Sequence, residues 1–384
     1  MKQKNIDNSC MSLSQTSHVK AFDLTSTPPL EHHLAKSIKI PMFNCKNIDV
    51  PNRSRSSTVS SLSSEKSQHD FLENTRESLR NKIELFGHTH EEVAECYNQI
   101  GTYYFRNGDF EASFVSFSDA LRCLELLIMK NEEENAGCYT IDIKTDSSHL
   151  RGPISKTLVN IGISCWRTWN LDYSIDCLQR ALKIQRQGHM SKKAKNNPEL
   201  ASIWYKIGIT RSLREQDVLA MEAYNEALLI WKKSCGPVNA DVARTFDAQG
   251  KIHLRHGNLD DAMRCHSKAL KIKKQLVGEH HSSVIISMTN CATVYKRRKE
   301  YEKAMNIYKR IVHIQIDISR TKPSEGISSI KIGNILWKIY NLAHAVDNTS
   351  VALLQMENML KKCQDAGLSE NDLMFSKLVC TMRG

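Results

Sequence analysis

The chain has 384 residues and is basic, with 53 Lys and Arg residues against 42 Asp and Glu and a formal net charge of +11. Its length suffices for one long domain with a tail, and a hydrophobic content of 41% is typical of a soluble globular protein. The sequence shows no secretory signal, and no apolar run approaches the roughly 18 residues of a membrane span, so we expect a soluble, cytoplasmic protein. The 12 cysteines are scattered without a Cys-x-x-Cys pair, which predicts reduced thiols and no metal site.

The N-terminal part of the chain has two sections of different composition. Residues 1–67 are rich in Ser, Asn and charged residues, and a segment of this kind cannot bury enough apolar surface to offset the cost of ordering it. This composition predicts a disordered tail. From His69 to Phe86, apolar residues recur at helical spacing, which predicts a single helix that caps the following domain.

Five segments then share one pattern of large and small residues at helical spacing. A small residue recurs at Gly101, Gly162, Gly208, Gly250 and Ala292. The last two segments superpose at a constant offset of 42 residues, from Gly250 to Ala292 and from His266 to Tyr308. A fixed period of this size predicts a solenoid of stacked helix pairs. The predicted repeats lie near residues 94–127, 155–188, 201–234, 243–276 and 285–318.

The pattern resembles the tetratricopeptide repeat. The first segment matches its signature with Tyr97, Gly101, Tyr104, Gly108, Phe110, Phe117 and Ala120. The long period, and the turns from Gly87 to His90 and from Gly278 to His281, resemble the kinesin light chain variety. The resemblance implies an all-α, right-handed superhelical solenoid of helix-turn-helix repeats that binds proteins and is not an enzyme.

Three further segments depart from the repeats. Residues 130–153 form a long insert with an acidic run, which we expect to leave the stack as a surface loop. A shorter basic insert spans residues 187–197. Residues 328–384 predict a degenerate sixth helix pair and a final capping helix, because the terminal repeats of a solenoid are usually atypical.

The first helix of each repeat would line a concave groove, as the resemblance implies. Repeat register assigns the following candidate groove residues: Asn98, Gln99, Arg106, Asn160, Arg167, Tyr205, Lys206, Ile209, Arg244, Lys251, Arg255, Asn290, Lys296 and Arg297. Asn160 and Asn290 match an Asn of the light-chain motif, whose amide can bond the backbone of an extended peptide through its donor and its acceptor. The basic residues predict an acidic peptide ligand; a merely solvated basic face is the alternative.

No motif of catalysis or cofactor binding is present, so we expect a non-enzymatic scaffold or adaptor without cofactor or metal. A kinesin light chain also carries N-terminal heptads, but residues 1–67 show no sustained apolar seam. Two alternatives remain open. One is a regulatory subunit of an enzyme complex. The other is an RNA-binding helical repeat, which only the positive charge supports and which the long period and non-repeating groove residues oppose.

Overall fold

The computed structural model of the protein describes residues 60–136, 148–187, 197–321 and 329–345, together with positions 358 and 361. Over these residues the chain is helical and contains no strand. The helices, in chain order, are α1 (Ser60–Phe86), α2 (Glu91–Asn107), α3 (Phe110–Ala136), α4 (Ser148–Arg167), α5 (Leu171–Gln187), α6 (Pro198–Leu213), α7 (Asp217–Ser234), α8 (Ala240–Arg255), α9 (Leu259–Val277), α10 (Ser282–Arg297), α11 (Tyr301–Thr321) and α12 (Ser329–His344).

The five predicted repeats are five helix pairs. The first helix of each pair (A helix) is α2, α4, α6, α8 or α10, and the second (B helix) is α3, α5, α7, α9 or α11. Each pair packs internally and against the next pair, while α1 packs on α2 and α12 on α11. This nearest-neighbour arrangement confirms the predicted all-α repeat solenoid.

Two predicted boundaries differ from the described helices. Helix α1 begins at Ser60, so residues 60–67 of the predicted tail are helical; residues 1–59 lie outside the described part of the chain. The insert predicted for residues 130–153 is also shorter, because α3 continues to Ala136 and α4 begins at Ser148. Leu150 is completely buried in the first turns of α4. Its burial favours the helix there, although Pro153 has no N–H to donate to a backbone hydrogen bond.

The predicted glycine–histidine turns between repeats are helix starts. Nδ1 of His90 accepts from the backbone N–H of Glu92 at 3.2 Å, and Nδ1 of His281 accepts from that of Ser283 at 3.1 Å. Asn239 takes the histidine's place before α8 and accepts from the N–H of Asp241 at 2.7 Å. These side chains satisfy N–H groups that lack a partner inside the helix.

A second kind of turn recurs inside every pair, between the A helix and the B helix. The first or second residue after the A helix has positive φ, and its N–H and that of the next residue bond back to carbonyls of the last helical turns. This is the Schellman motif, in which glycine is favoured because it has no Cβ. The five positive-φ residues are Gly108, Trp169, Glu215, Gly257 and Lys299.

Small residues let the two helices of a pair approach closely. A Cβ added to Gly208 would lie 2.5 Å from the Tyr224 ring, and one added to Gly250 would lie 2.6 Å from the His266 ring. Both approaches are closer than a real Cβ allows, so an aromatic or imidazole ring on the B helix occupies the space above each glycine. The contact confirms the predicted register of the repeats.

Candidate peptide-binding site

Most of the predicted groove residues are at least partly exposed on the A helices, and we call these residues together the A-helix face. Eight are exposed: Gln99, Arg106, Arg167, Arg244, Lys251, Arg255, Lys296 and Arg297. Five are half-buried: Asn160, Tyr205, Lys206, Ile209 and Asn290. Asn98 is instead buried in the contact between α2 and α4, where its amide donates to and accepts from the hydroxyl of Thr157 at 3.0 and 3.2 Å. Its polar atoms are thus committed to the stack rather than offered to a ligand.

Several cations of the A-helix face have no carboxylate partner. Lys251 of α8, together with Lys296 and Arg297 of α10, forms no ion pair with any residue that the structure describes. Two other predicted cations are engaged. Arg244 pairs with Asp241 and lies over the Tyr205 ring, and Arg255 donates to Ser212 Oγ at 2.7 Å and forms an ion pair with Asp217 at 3.0 Å.

Lys206 is the most constrained of the predicted cations. Its Nζ donates to Ser202 Oγ at 2.5 Å, and no carboxylate within the described ranges pairs with it. Burial and the neighbouring positive charge of Arg244 both lower the pKa of Lys206. A half-buried ammonium without a counter-ion gains more from an arriving carboxylate than a solvated one does.

Apolar surface lies beside Lys206. Tyr205 and Ile209 pack on a small core formed by Ala220, Tyr224 and Ile252 while keeping part of their surface open. The rings of Tyr224 and Trp231 pack against the Tyr205 ring, and each has its centroid 5.7 Å from the Tyr205 centroid. A supported aromatic ring of this kind can contact a ligand side chain at little cost in conformational entropy.

A buried polar cluster next to the A-helix face was not predicted as a cluster, although one of its members, Asn290, was a predicted groove residue. Asp247 of α8 accepts from His266 Nδ1 at 2.9 Å, Lys273 Nζ at 2.6 Å, Ser287 Oγ at 2.7 Å and Asn290 Nδ2 at 3.2 Å. Burial alone would raise the pKa of Asp247, but the hydrogen bonds from His266, Lys273 and Ser287 outweigh it and lower the pKa to about 2. The cluster ties α8, α9 and α10 together. A signal for it existed in the sequence: Lys273 lies seven residues after His266, on the face that the repeat pattern assigns to the core.

The ionised carboxylate of Asp247 also fixes the orientation of Asn290. A carboxylate only accepts hydrogen bonds, so the NH₂ group of Asn290 must face it. The carbonyl oxygen of Asn290 is therefore directed away from Asp247 and is free to accept from a ligand. This half-buried side chain can accept from a peptide N–H, while one of its two N–H groups is engaged by Asp247.

The described residues offer little for other kinds of site. Within them no group of three or more His, Cys, Asp or Glu side chains could hold a metal ion. In the same part of the chain, none of the helices has both the length and the hydrophobicity needed to cross a bilayer.

Comparison with known proteins identifies the repeats. The family model for the tetratricopeptide repeat matches residues 199–275 and 257–315. A search of curated proteins found no match. The chain is similar to the crystal structure of BtubC (BKLC) from P. vanneervenii, with a TM-score of 0.52 and 18% identity, over 66% of this chain and 92% of that chain. It is also similar to a putative kinesin light chain with nearly identical TPR-like repeats from Podosopora anserina, with a TM-score of 0.45 and 13% identity, over 60% of this chain and 98% of that chain.

The family model and the similarity to BtubC show an all-α helical repeat fold of the tetratricopeptide type. The chain carries tetratricopeptide repeats over residues 199–315, and the pairs α2–α3 and α4–α5 continue the same stack toward the N terminus. Similarity at 18% identity shows the fold alone.

Proposed function

We propose that this protein is a non-enzymatic interaction scaffold whose A-helix face binds an extended, acidic segment of a partner protein. Tetratricopeptide repeats generally serve as protein-interaction modules, which supports the class of function. The observation that carries the finer proposal is the set of cations without a carboxylate partner: Lys206, Lys251, Lys296 and Arg297, on three successive A helices. An acidic ligand would supply the missing counter-charges.

The bound segment would combine charge with an apolar anchor. Carboxylates of the ligand would approach Lys206 and Lys251, a large apolar side chain would lie on Tyr205 and Ile209, and a backbone N–H would donate to the carbonyl of Asn290. Charge mainly speeds encounter, whereas the anchor mainly determines affinity. Recognition of cargo or of an adaptor partner in the manner of a kinesin light chain is the specific role we infer for such a site.

A cytoplasmic location belongs to the same proposal. Seven cysteines within the described residues are free thiols, and five of them are buried. Unpaired cysteines of this number fit a reducing compartment.

The decisive experiment measures binding of acidic peptides to two variants of equal charge. Lys251→Glu/Lys296→Glu reverses two exposed cations of the A helices, and Lys233→Glu/Lys271→Glu reverses two exposed cations of the B helices α7 and α9. On an array of peptides with varied acidic and apolar content, we expect the first variant to lose at least about tenfold in affinity and the second to keep wild-type affinity.

Salt provides a second readout, since exposed charges are screened within about 8–10 Å at physiological ionic strength. Wild-type affinity should fall as salt rises, and it should fall less steeply in the Lys251→Glu/Lys296→Glu variant. Equal losses in both variants, or bound sequences without acidic bias, would show that the A-helix cations are only a solvated surface. Preference for an RNA oligonucleotide over acidic peptides would favour the nucleic-acid alternative.

A further inference from the structure

The turn between α4 and α5 holds a tryptophan in a backbone conformation that tryptophan rarely adopts. Trp169 has a φ of 61°, and 57% of its surface is exposed. The left-handed region is disfavoured for every residue with a Cβ, most strongly for bulky ones. In the part of the chain that the structure describes, no aromatic ring stacks on Trp169 and no cation lies over it. Ring stacking and cation contacts therefore do not explain why this turn carries a tryptophan where two other turns carry glycine.

The neighbouring turn, between α6 and α7, adds apolar surface. Leu213 is 40% exposed and Val218 is 75% exposed. The two turns lie side by side, because Arg214 pairs with Asp172 across them. We call Trp169, Leu213 and Val218 the turn patch. Tryptophan is enriched among the residues that dominate binding energy at protein interfaces, and a patch of exposed apolar side chains marks an interaction site.

The turn patch is continuous with the A-helix face. Leu213 occupies the repeat position at which the other four repeats carry an arginine: Arg106, Arg167, Arg255 and Arg297. A polypeptide that follows this row of arginines meets an apolar interruption at the third repeat. The patch thus begins where the A helices end.

Charge indicates what the patch would bind. Arg167 is exposed, with its guanidinium carbon 4.7 Å from the centroid of the Phe110 ring, and no carboxylate among the described residues pairs with it. A partner that covers Trp169 would bring a side chain close to this cation, two residues away in the chain. A carboxylate in the partner would satisfy it.

We propose that the turn patch is a docking site for a partner segment that carries a large apolar side chain flanked by Asp or Glu. The inference rests on the proposed function in one respect, that the ligand is a polypeptide lying along the A-helix face. It adds that the ligand's anchor extends past the ends of α4 and α6 onto the turns. The ring of Trp169 would contact this anchor.

The test uses peptides selected from a random display library on the full-length protein, with affinities measured by fluorescence polarisation. Trp169→Gly removes the ring and leaves the residue that the turn prefers, and Val218→Ser removes apolar surface from an exposed helical position. Leu229→Ser is the matched control, since Leu229 is 49% exposed on α7 outside the patch. Thermal melting of every variant reports on folding.

We expect the selected peptides to share a large apolar residue beside a carboxylate. Trp169→Gly and Val218→Ser should each weaken binding by at least about tenfold, with Leu229→Ser unchanged. The melting temperature of Trp169→Gly should be equal to or above that of the wild type, which a merely structural tryptophan would not produce. If Trp169→Gly lowers the melting temperature, destabilisation can account for its loss of binding. The binding of Val218→Ser alone then tests the turn patch.

The outcomes separate this inference from the proposed function. Binding that is lost in Lys251→Glu/Lys296→Glu but kept in both patch variants overturns the turn patch and leaves the A-helix site standing. The reverse pattern supports the patch as the anchor site and overturns the role proposed for Lys251 and Lys296. A library that yields no peptide, or peptides indifferent to both sets of substitutions, overturns both.

Discussion

Asp247 shows how much a single buried charge determines in this fold. Its carboxylate accepts hydrogen bonds from side chains on α9 and α10 and fixes the amide of Asn290, which reaches the A-helix face. A buried carboxylate is tolerated only with such partners, since taking an ion out of water costs several kcal/mol. Removing any partner should therefore cost more than the loss of one exposed hydrogen bond.

The lowered pKa of Asp247 makes this contribution dependent on pH. The pKa is about 2 in the folded protein against 3.8 for the free group, so the contribution is complete above pH 4 and is lost as the pH falls toward 2. The shift corresponds to about 2 kcal/mol. The free energy of unfolding of the wild type minus that of Asp247→Asn should therefore shrink by about this amount between pH 5 and pH 2, as measured by urea unfolding. Asp260→Asn, at an exposed carboxylate, is the control; a difference that does not change with pH would show that Asp247 is not preferentially ionised in the fold.

At the scale of the helix pair, the five internal turns form a natural comparison series. All five place one residue at positive φ and bond it back to the preceding helix, yet only two of those residues are glycines. A non-glycine residue in the left-handed region costs about 1–2 kcal/mol, partly offset by the greater freedom of glycine in the unfolded chain. The turns thus differ in strain although they share one geometry.

Exchanging the residue types at two of these turns should shift stability in opposite directions. Gly257→Ala introduces a Cβ at a φ of 78° and should lower the free energy of unfolding by about 1 kcal/mol. Lys299→Gly relieves the same conformation at an exposed residue and should raise it by up to about 1 kcal/mol. Equilibrium denaturation measures the change in the free energy of unfolding for each variant. Changes of the same sign would mean that the substitutions do not act through the turn conformation.

The sequence was sufficient to predict these helix pairs, because a contact between a glycine and a ring leaves a small residue and a large one at fixed spacing, as in Gly250 and His266. The sequence held one sign of the Asp247 cluster, the lysine on the core face of α9, but the pattern alone could not identify the partners of that lysine. The members of the cluster lie on three helices at positions that the pattern treats as exposed or apolar, and only the stacking brings them together. The same holds for Asn98, whose repeat position is that of a groove residue but whose partner, Thr157, comes from the next repeat.

Across the whole molecule, basic residues near the ends of the A helices tie successive repeats together. Arg214 pairs with Asp172, Arg255 with Asp217 and Arg298 with Asp260, and in each case the acid lies at the start of the preceding B helix. Arg167 follows the same rule, with the Phe110 ring in place of an acid. Part of the positive charge at these turns thus stabilises the stack, and only the remainder is available to a ligand.

The ion pairs between successive repeats should differ in strength according to the burial of their carboxylates. Asp217 is 8% exposed and also meets His256 Nε2 at 2.8 Å, whereas Asp260 is 95% exposed. Asp217→Asn should cost about 1–3 kcal/mol and weaken cooperation between the third and fourth repeats, and Asp260→Asn should cost less than about 1 kcal/mol. Native-state hydrogen exchange should show faster exchange in α6–α9 only for the first variant. Similar exchange rates in the two variants would mean that neither ion pair couples the repeats.

The hydrogen bonds of Asp247 also bear on how a chain of similar repeats avoids joining them in the wrong order. Helix pairs that resemble one another can stack on non-adjacent partners during folding, and misassembly of this kind is a characteristic failure of repeat proteins. The fourth repeat presents a buried carboxylate that the lysine of α9 and the Ser287 hydroxyl and Asn290 amide of α10 satisfy together. A neighbouring helix without a hydroxyl and an amide at these two positions would leave that charge without part of its hydrogen bonding. The cluster thus disfavours stacking of the fourth repeat on a helix pair that lacks these polar groups.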